Sequence, residues 1–354
     1  MNTIAKLIDS IPSLDSARQQ AAIAHIDGLA KPPGSLGRLE TLAIHLAGMR
    51  GLERITEQLE KEIIVMCADH RVFDEGVAVT PQDVTLLQAL NMQKGLTGVC
   101  ALAKSSRTKV LPVDIGIDCD PIDNMMTLKV GRGCANIAHG PAMTYHHAQQ
   151  LLLASADLVR QRVEQGVRVI GVGELGIANT TPASAMLSVL CQEDPHDTVG
   201  IGANLPYAQL AHKESIVRQA IAVNQPNADD GIDVLAKVGG YDLTGMTGTI
   251  LGAASCGIPV VLDGFLSYAS AIAACRIAPQ AWDYLIPSHF SAEKGAKIAL
   301  AHLKLTPYLY LDLRLGEGSG AAIAMSVIDA ACAMYCGMGH QDKSGFSLPP
   351  AVTK

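Results

Sequence analysis

Two glutamates sit among glycines in this chain. Glu317 lies in LGEGSG (315–320), between a run that reads as a strand (307–315) and an apolar segment that reads as a helix (321–334). A glycine-rich turn before a helix lets backbone N–H groups crowd an anion. A carboxylate inside that turn repels a phosphate, so the loop suits a proton to be removed or a developing positive charge. The plainer alternative is a tight turn whose glutamate favours the helix dipole. Glu174 lies in GVGELG (171–176), after the run VRVI (167–170). Two such carboxylates suit glycosidic bond cleavage, whose oxocarbenium-like state they stabilise. One of them can serve as general base if a low-dielectric site raises its pKa towards neutrality.

GVGELG also matches the G-x-G-x-x-G of dinucleotide sites. A helical segment follows, and Glu193 lies about 20 residues on, as such a site requires. A nicotinamide-dependent oxidoreductase is therefore an alternative. Against it, the match follows a middle strand, NTTP (179–182) interposes a capped turn, and Glu174 occupies the place of a pyrophosphate. Asp69, His70, Asp114, Asp118, Asp263 and His289 contain metal-ligand types without the spacing of a zincin or EF-hand. Aspartates at strand ends more often cap helices or orient loops. No G-x-S-x-G elbow is present, and Ser319 reads as a helix N-cap. Lys213, after GAN (202–204), could neutralise a phosphate, although a lone lysine or arginine such as Lys213 or Arg314 is usually just solvated.

Short apolar runs position these residues. EIIVMC (62–67) ends in Asp69 and His70; KVLPV (109–113) ends in Asp114 and Asp118; VRVI ends at the Glu174 glycines; 198–201 ends at Gly202; IPVVL (258–262) ends in Asp263 and Gly264. Unalternated runs separated by helical segments read as parallel strands buried on both faces. Function in such sheets gathers at the strands' carboxyl ends. Residues 2–30 and 36–49 read as helices separated by KPPGS, and a charged linker covers 50–61. Thr80 to Asp83 reads as a helix start with Thr80 as cap and Pro81 in the first turn. Gln88 then falls within about 80° of Thr80 around the axis, so both can face one pocket, or simply solvent.

The 354 residues allow a large domain plus a small one. Nearly half are apolar, aromatics are few, and glycine and alanine are abundant, which favours an α/β body. A formal charge of −7 without a basic run argues against nucleic acid as main partner. Nine cysteines without C-x-x-C or zinc-like spacing are expected as reduced, buried thiols. Residues 1–10 lack a signal-peptide core, and no stretch of about 18 residues is uniformly apolar. A soluble, cytoplasmic protein is expected.

The chain resembles the nicotinate-nucleotide:dimethylbenzimidazole phosphoribosyltransferases almost end to end. The resemblance rests on KPPGSLGRLE (31–40), MCADH (66–70), DEGV (74–77), GVGELGIANTTPA (171–183), VGGYDLTGMTG (238–248), LDGFLSYA (262–269), IPSHFSAEKG (286–295) and RLGEGSGAA (314–322). It implies an α/β, Rossmann-like, mostly parallel sheet with helices on both faces, and a small helical domain built from both chain ends. A large domain over 60–285 and a smaller one from 1–59 with 286–354 are expected, with the 307–320 segment also reaching the site. It implies a homodimer that moves the phosphoribosyl group of nicotinate mononucleotide to 5,6-dimethylbenzimidazole. The products are α-ribazole 5′-phosphate and nicotinate, with inversion at C1′ and no metal or organic cofactor.

Carried over by position, Glu317 corresponds to the general base that takes the benzimidazole proton, and Glu174 to a second carboxylate near the ribose. Thr80, Gln88 and Leu315 correspond to the base pocket; Gly176, Gly202, Lys213 and Gly264 to the nucleotide and phosphate side. Arg71 stands where the family usually has glycine, which would strain a position needing φ > 0 or put an arginine into the pocket. Thr80 stands where serine is frequent. A non-catalytic nucleotide- or benzimidazole-binding protein, its reaction blocked at Arg71, is a further alternative. The apolar helix after Gly320 is a candidate dimer interface.

Overall fold

The computed structural model of the chain describes residues 3–345. Its centre is a six-stranded parallel sheet: β1 (Lys61–Ala68), β2 (Lys109–Gly116), β3 (Met126–Thr127), β4 (Val169–Leu175), β5 (Val260–Leu262) and β6 (Leu285–Pro287), in the order β3-β2-β1-β4-β5-β6. The chain winds outward from β1 through β2 and then returns to β1's other side with β4. That reversal puts the topological switch point of the sheet between β1 and β4, and open α/β sheets bind ligands at the carboxyl ends of their strands. The expected α/β sheet with covered faces is what the chain forms.

β1 and β4 are buried along their whole lengths. Lys61 and Glu62 start β1 in the interior because each has an opposite charge, Asp329 for Lys61 and Arg162 for Glu62. A buried ion held by a partner avoids the several kcal/mol of effective penalty for an unpaired one.

Small residues let helices lie close on both faces. On one face a Cβ on Gly171 would press on Ile63 and Met325, so the helix Ser319–Gly337 packs directly on β4. On the other, a Cβ on Gly245 would meet Ile115 and Met66, which brings in the helix Tyr241–Ser255. Ser319–Gly337 is long and apolar enough to cross a membrane by composition, with a mean hydropathy of 1.5, but half of it is buried within the protein. Its apolar side meets the sheet and the helix Arg38–Gly48, so much of the surface expected to form a dimer interface is spent in the core.

Several local expectations are corrected. GVGELG is not a turn after a strand: β4 runs through it, because residues 169–175 pair with β1 and residues 170–171 also pair with β5. The expected strand at 198–201 is replaced by the helix Pro195–Thr198 and a loop; Asp194 accepts from His196 N at 2.8 Å and Pro195 favours a first helical turn. Residues 307–315 run alongside 288–292, but only Leu309 forms a bridge, with His289, since Pro307 has no N–H and Asp312 adopts φ +53°. The helix expected from Thr80 begins at Val84, with Asp83 in the cap position; Val84 N and Thr85 N are taken up by Pro81 O and Gln82 O in a tighter turn. The single helical region expected over 2–30 is two helices, Ile4–Asp9 and Ser16–Asp27. Strands β3 and β6 are additional to the expected runs; at two and three residues they fall below a recognisable apolar stretch.

Arg71 starts the 3-10 helix Arg71–Glu75 and its φ is not positive. Its guanidinium donates to Asp118 at 2.6 Å on the surface. Neither strain nor intrusion into the crevice follows from replacing glycine there.

Candidate active site

A cleft of about 210 Å³, open to solvent, lies over the carboxyl ends of β4 and β5. One end is largely apolar, with Val77, Ala78, Val84, Leu175 and Ile177; the other carries Gly202, Lys213, Gly264 and Ser291.

Glu317 stands at the apolar end and is 5 % exposed. It adopts φ +61° between Gly316 at +83° and Gly318 at +86°. Three consecutive left-handed residues turn the chain sharply into the helix Ser319–Gly337, and glycine at two of them removes most of the strain. Gln88 Nε2 donates to Glu317 Oε1 at 3.0 Å, and Val99 N donates to Oε2 at 3.3 Å. Each oxygen has one donor, which fixes the carboxylate plane and leaves further lone pairs for a ligand proton. Leu315 lines the same end with 58 % of its surface exposed.

The turn is held by an aspartate from another element. Asp263, at the end of β5, accepts from Gly318 N at 3.0 Å through Oδ2 and from Gly320 N at 2.7 Å through Oδ1. It therefore satisfies the free amides at the start of Ser319–Gly337. Ser319 has no such role; its hydroxyl is buried without a partner among the described residues. Burial pushes the Asp263 carboxyl up to about 7, against the lowering effect of these amides. The helix terminus next to Glu317 is thus already occupied by a carboxyl group of the protein.

Glu174 occupies the penultimate position of β4 and is 7 % exposed. Asn179 donates to its Oε2 through Nδ2. Burial raises the Glu174 carboxyl to about 8, helped by the negative charges of Asp242, Asp263 and Glu317 and opposed by the Asn179 hydrogen bond. A cation beside this group favours its ionised form.

At the opposite end Lys213 is 1 % exposed, contrary to a solvated surface lysine. Its Nζ donates to Thr180 Oγ1 at 2.8 Å and to Gly200 O at 3.0 Å. Burial lowers it to about 8, and Glu293 partly restores it. An arriving phosphate would add the counter-charge that the protein does not fully supply. Arg314 reaches across this end, donating to Gly202 O at 3.3 Å and Asn204 Oδ1 at 2.8 Å, so it holds the loop over Gly202 while remaining solvent-exposed as expected.

His289 faces the cleft, and burial lowers it to about 4, so it is neutral. Ser288 Oγ lies 2.8 Å from Asp263 O and 2.9 Å from His289 Nδ1, and the Leu313 carbonyl accepts from the imidazole. Among the described residues no His, Cys, Asp and Glu side chains form a group able to hold a metal ion. Of the residues considered for one, Asp114 pairs with Lys129 at 2.8 Å, Asp118 with Arg71, and Asp69 accepts from Asp118 N at 2.8 Å.

Glu174, Glu317, Gln88, Leu315, Gly176, Gly202, Lys213 and Gly264 all line this one cleft. Thr80 does not; it precedes the displaced helix start and lies outside the lining. The dinucleotide reading also falls, because a paired strand offers no ring of free amides to a pyrophosphate. Sequence reasoning assigned no part in the site to Asn179, Asp242, Val99 N or the capping role of Asp263. The motifs containing Asn179, Asp242 and Asp263 were visible, but their pairing across the chain was not.

A family model described as phosphoribosyltransferase matches residues 11–346. The chain is 60 % identical over 353 residues to a nicotinate-nucleotide–dimethylbenzimidazole phosphoribosyltransferase of Yersinia enterocolitica, covering 99 % of this chain and 100 % of that protein. A protein of the same name from Salmonella agona is 58 % identical over 349 residues, covering 99 % and 98 %. The crystal structure of the nicotinate-nucleotide-dimethylbenzimidazole phosphoribosyltransferase from Thermus thermophilus superposes with a TM-score of 0.88 at 35 % identity, covering 95 % of this chain and 100 % of that one.

Proposed function

This chain belongs to the phosphoribosyltransferase family, and from that premise we propose that it transfers the phosphoribosyl group of nicotinate mononucleotide to 5,6-dimethylbenzimidazole. The observation that carries the reading is one cleft with two buried carboxylates, Glu174 and Glu317, at one end and buried Lys213 at the other. The phosphate lies with Lys213 and the backbone of Gly202 and Gly264, and the flat base lies among Val77, Val84, Leu175 and Leu315.

Glu317, oriented by Gln88 and Val99 N, takes the N–H proton of the benzimidazole. The other ring nitrogen attacks C1′ of the ribose, and the bond from C1′ to the pyridinium nitrogen breaks with its electron pair staying on nicotinate. Attack opposite the leaving group inverts C1′. Glu174 loses its proton when the cationic pyridinium ring of the nucleotide binds beside it and stabilises the positive charge shared by ribose and pyridinium. The products are α-ribazole 5′-phosphate and nicotinate.

The active form is a homodimer in the cytoplasm, with a small helical unit from both chain ends beside the large sheet domain. Exposed Leu87, Leu96 and Leu315, in the segments that carry Gln88, Val99 and Glu317, offer apolar surface for a second copy. The deciding experiment mixes the protein with nicotinate mononucleotide and dimethylbenzimidazole, without added metal, and resolves products by chromatography and mass. Formation of α-ribazole phosphate with an equal amount of nicotinate is expected. A folded protein that yields neither would refute the assignment.

A further inference from the structure

Two sequence motifs, MCADH (66–70) and VGGYDLTGMTG (238–248), supply none of the groups given a role in the transfer, yet they meet directly behind Glu174. Asn179 Nδ2 donates to Glu174 Oε2 and also, at 2.9 Å, to Asp242 Oδ2. Only the NH₂ side of the amide can serve two carboxylates at once, which fixes its orientation. Asp242 Oδ1 lies 3.0 Å from His70 Nε2, and His70 Nδ1 lies 3.2 Å from Cys134 Sγ. Asn179, Asp242, His70 and Cys134 are all buried.

The row is closed in by missing side chains. A Cβ on Gly240 would lie 2.3 Å from His70 Cε1, and one on Gly176 would lie 3.1 Å from Asp242 Oδ2 and 2.5 Å from Ala68 O. Gly176 therefore packs against this row as well as lining the cleft. Cys134 is fixed by its own backbone, whose N–H donates to Asp69 O at 2.9 Å.

We propose that Asn179, Asp242 and His70 are positioning residues for Glu174: the amide fixes the carboxylate that the cleft presents, and the His70–Asp242 pair sets the charge it carries when the nucleotide arrives. The inference rests on the reading of Glu174 as the carboxylate beside the ribose. A lone buried aspartate would be costly, and His70 is the cation that compensates it. Burial is the largest single influence and pulls the His70 imidazole down, but Asp242 and Cys134 together outweigh it and hold the ring well above 6.5. Glu174 faces Asp242 from the helix Tyr241–Ser255, Asp263 from β5, Glu317 from the turn and Cys67 from β1, with Lys213 across the cleft. His70 faces Asp242, Cys134 and its neighbour Asp69.

The test reads Glu174 without turnover. Its carboxyl stretching band is isolated by subtracting the infrared spectrum of Glu174→Gln and is titrated in the native protein, Asp242→Asn and His70→Gln. Removing the negative neighbour in Asp242→Asn lowers the midpoint by roughly one pH unit or more; stripping Asp242 of its counter-charge in His70→Gln raises it. The acid limb of kcat/KM moves with the band. Midpoints at the native value in both variants overturn the proposal. If Asp242→Asn does not fold, Asn179→Ala removes the bridge without changing a charge; it raises the midpoint, and an unmoved band again overturns the proposal. An unmoved band with a dead Glu174→Gln enzyme sinks the coupling but spares the role of Glu174. A moved band with a fully active Glu174→Gln enzyme supports the coupling and sinks that role.

Discussion

Glu174 and Glu317 each occupy space left by a glycine adjacent to the other. A Cβ on Gly316 would lie 2.4 Å from Glu174 Oε1, and a Cβ on Gly173 would lie 2.7 Å from the Glu317 carbonyl. Neither carboxylate can be placed without the other's neighbour staying bare. The two are therefore one constructed unit, and changes at either glycine are expected to act on both.

Glu317→Gln keeps the size of the side chain and an acceptor for one of its two donors, Gln88 Nε2 and Val99 N, but cannot accept the base proton. Loss of a general base typically costs 10²–10⁴-fold in rate. The expected result is a fall of at least about 100-fold in kcat, with unchanged thermal unfolding and nucleotide binding measured by calorimetry. A rate within a factor of two of the native enzyme would remove Glu317 from the chemistry.

The pH dependence of kcat/KM for the nucleotide should be bell-shaped around pH 8. Glu174, raised to about 8, becomes the needed anion as pH rises, which gives the acid limb. Lys213, lowered to about 8, loses its charge over the same range, which gives the alkaline limb. Lys213→Met should raise KM for the nucleotide at least 10-fold (about 1.4 kcal/mol) and abolish the alkaline limb alone. An alkaline limb unchanged in that variant would assign it to another group.

Stability should also depend on pH through Glu174. The folded protein holds this proton up to about 8, whereas the unfolded chain releases it near 4.5. The folded state thus binds more protons between these values, so the contribution of Glu174 to stability falls as pH rises through that window and levels off above it. Glu174→Gln lacks this slope, and its melting temperature relative to the native protein should be higher at pH 8.5 than at pH 6. A difference that is constant with pH would mean that Glu174 is not the group responsible.

Gly320→Ala should be among the most damaging small substitutions. Its Cβ would lie 1.9 Å from His289 Nδ1 and 3.0 Å from Asp263 Oδ1, so it would push apart the cap and the histidine together. We expect a loss of several kcal/mol, of the size produced by overpacking a filled core, seen as a lowered midpoint in urea. Gly316→Ala should fold with a smaller loss, about 1–2 kcal/mol for its left-handed backbone, yet lose activity because it displaces Glu174. Active Gly316→Ala protein would show that the Glu174 position is not critical.

Much of this arrangement was legible because buried parallel strands write themselves as apolar runs. The ends of β1, β2 and β5 could be read from 62–67, 109–113 and 258–262, and with them the position of Asp263. GVGELG misled because glycine marks a turn by default, whereas Gly171 and Gly173 are bare so that other chain segments can lie on a strand. Thr80 misled because cap, proline and acid appear in the right order, but a tighter turn delays the helix to Val84. The burial of Lys213 and the bridge from Asn179 to Asp242 depend on residues 33 and 63 positions apart, which no local pattern reports.

The helix Ser319–Gly337 follows Glu317 and covers the glycines of β4, so its emergence from the ribosome is tied to competence. Chains leave the ribosome N-terminus first and fold as units. A nascent chain that has made β1 to β6 still lacks this cover and leaves apolar sheet surface of the kind that recruits chaperones and proteases. The same nascent chain has no Glu317, so it cannot turn over a substrate bound early. Removal of the quality-control signal and arrival of the proton acceptor are one event, the docking of that helix.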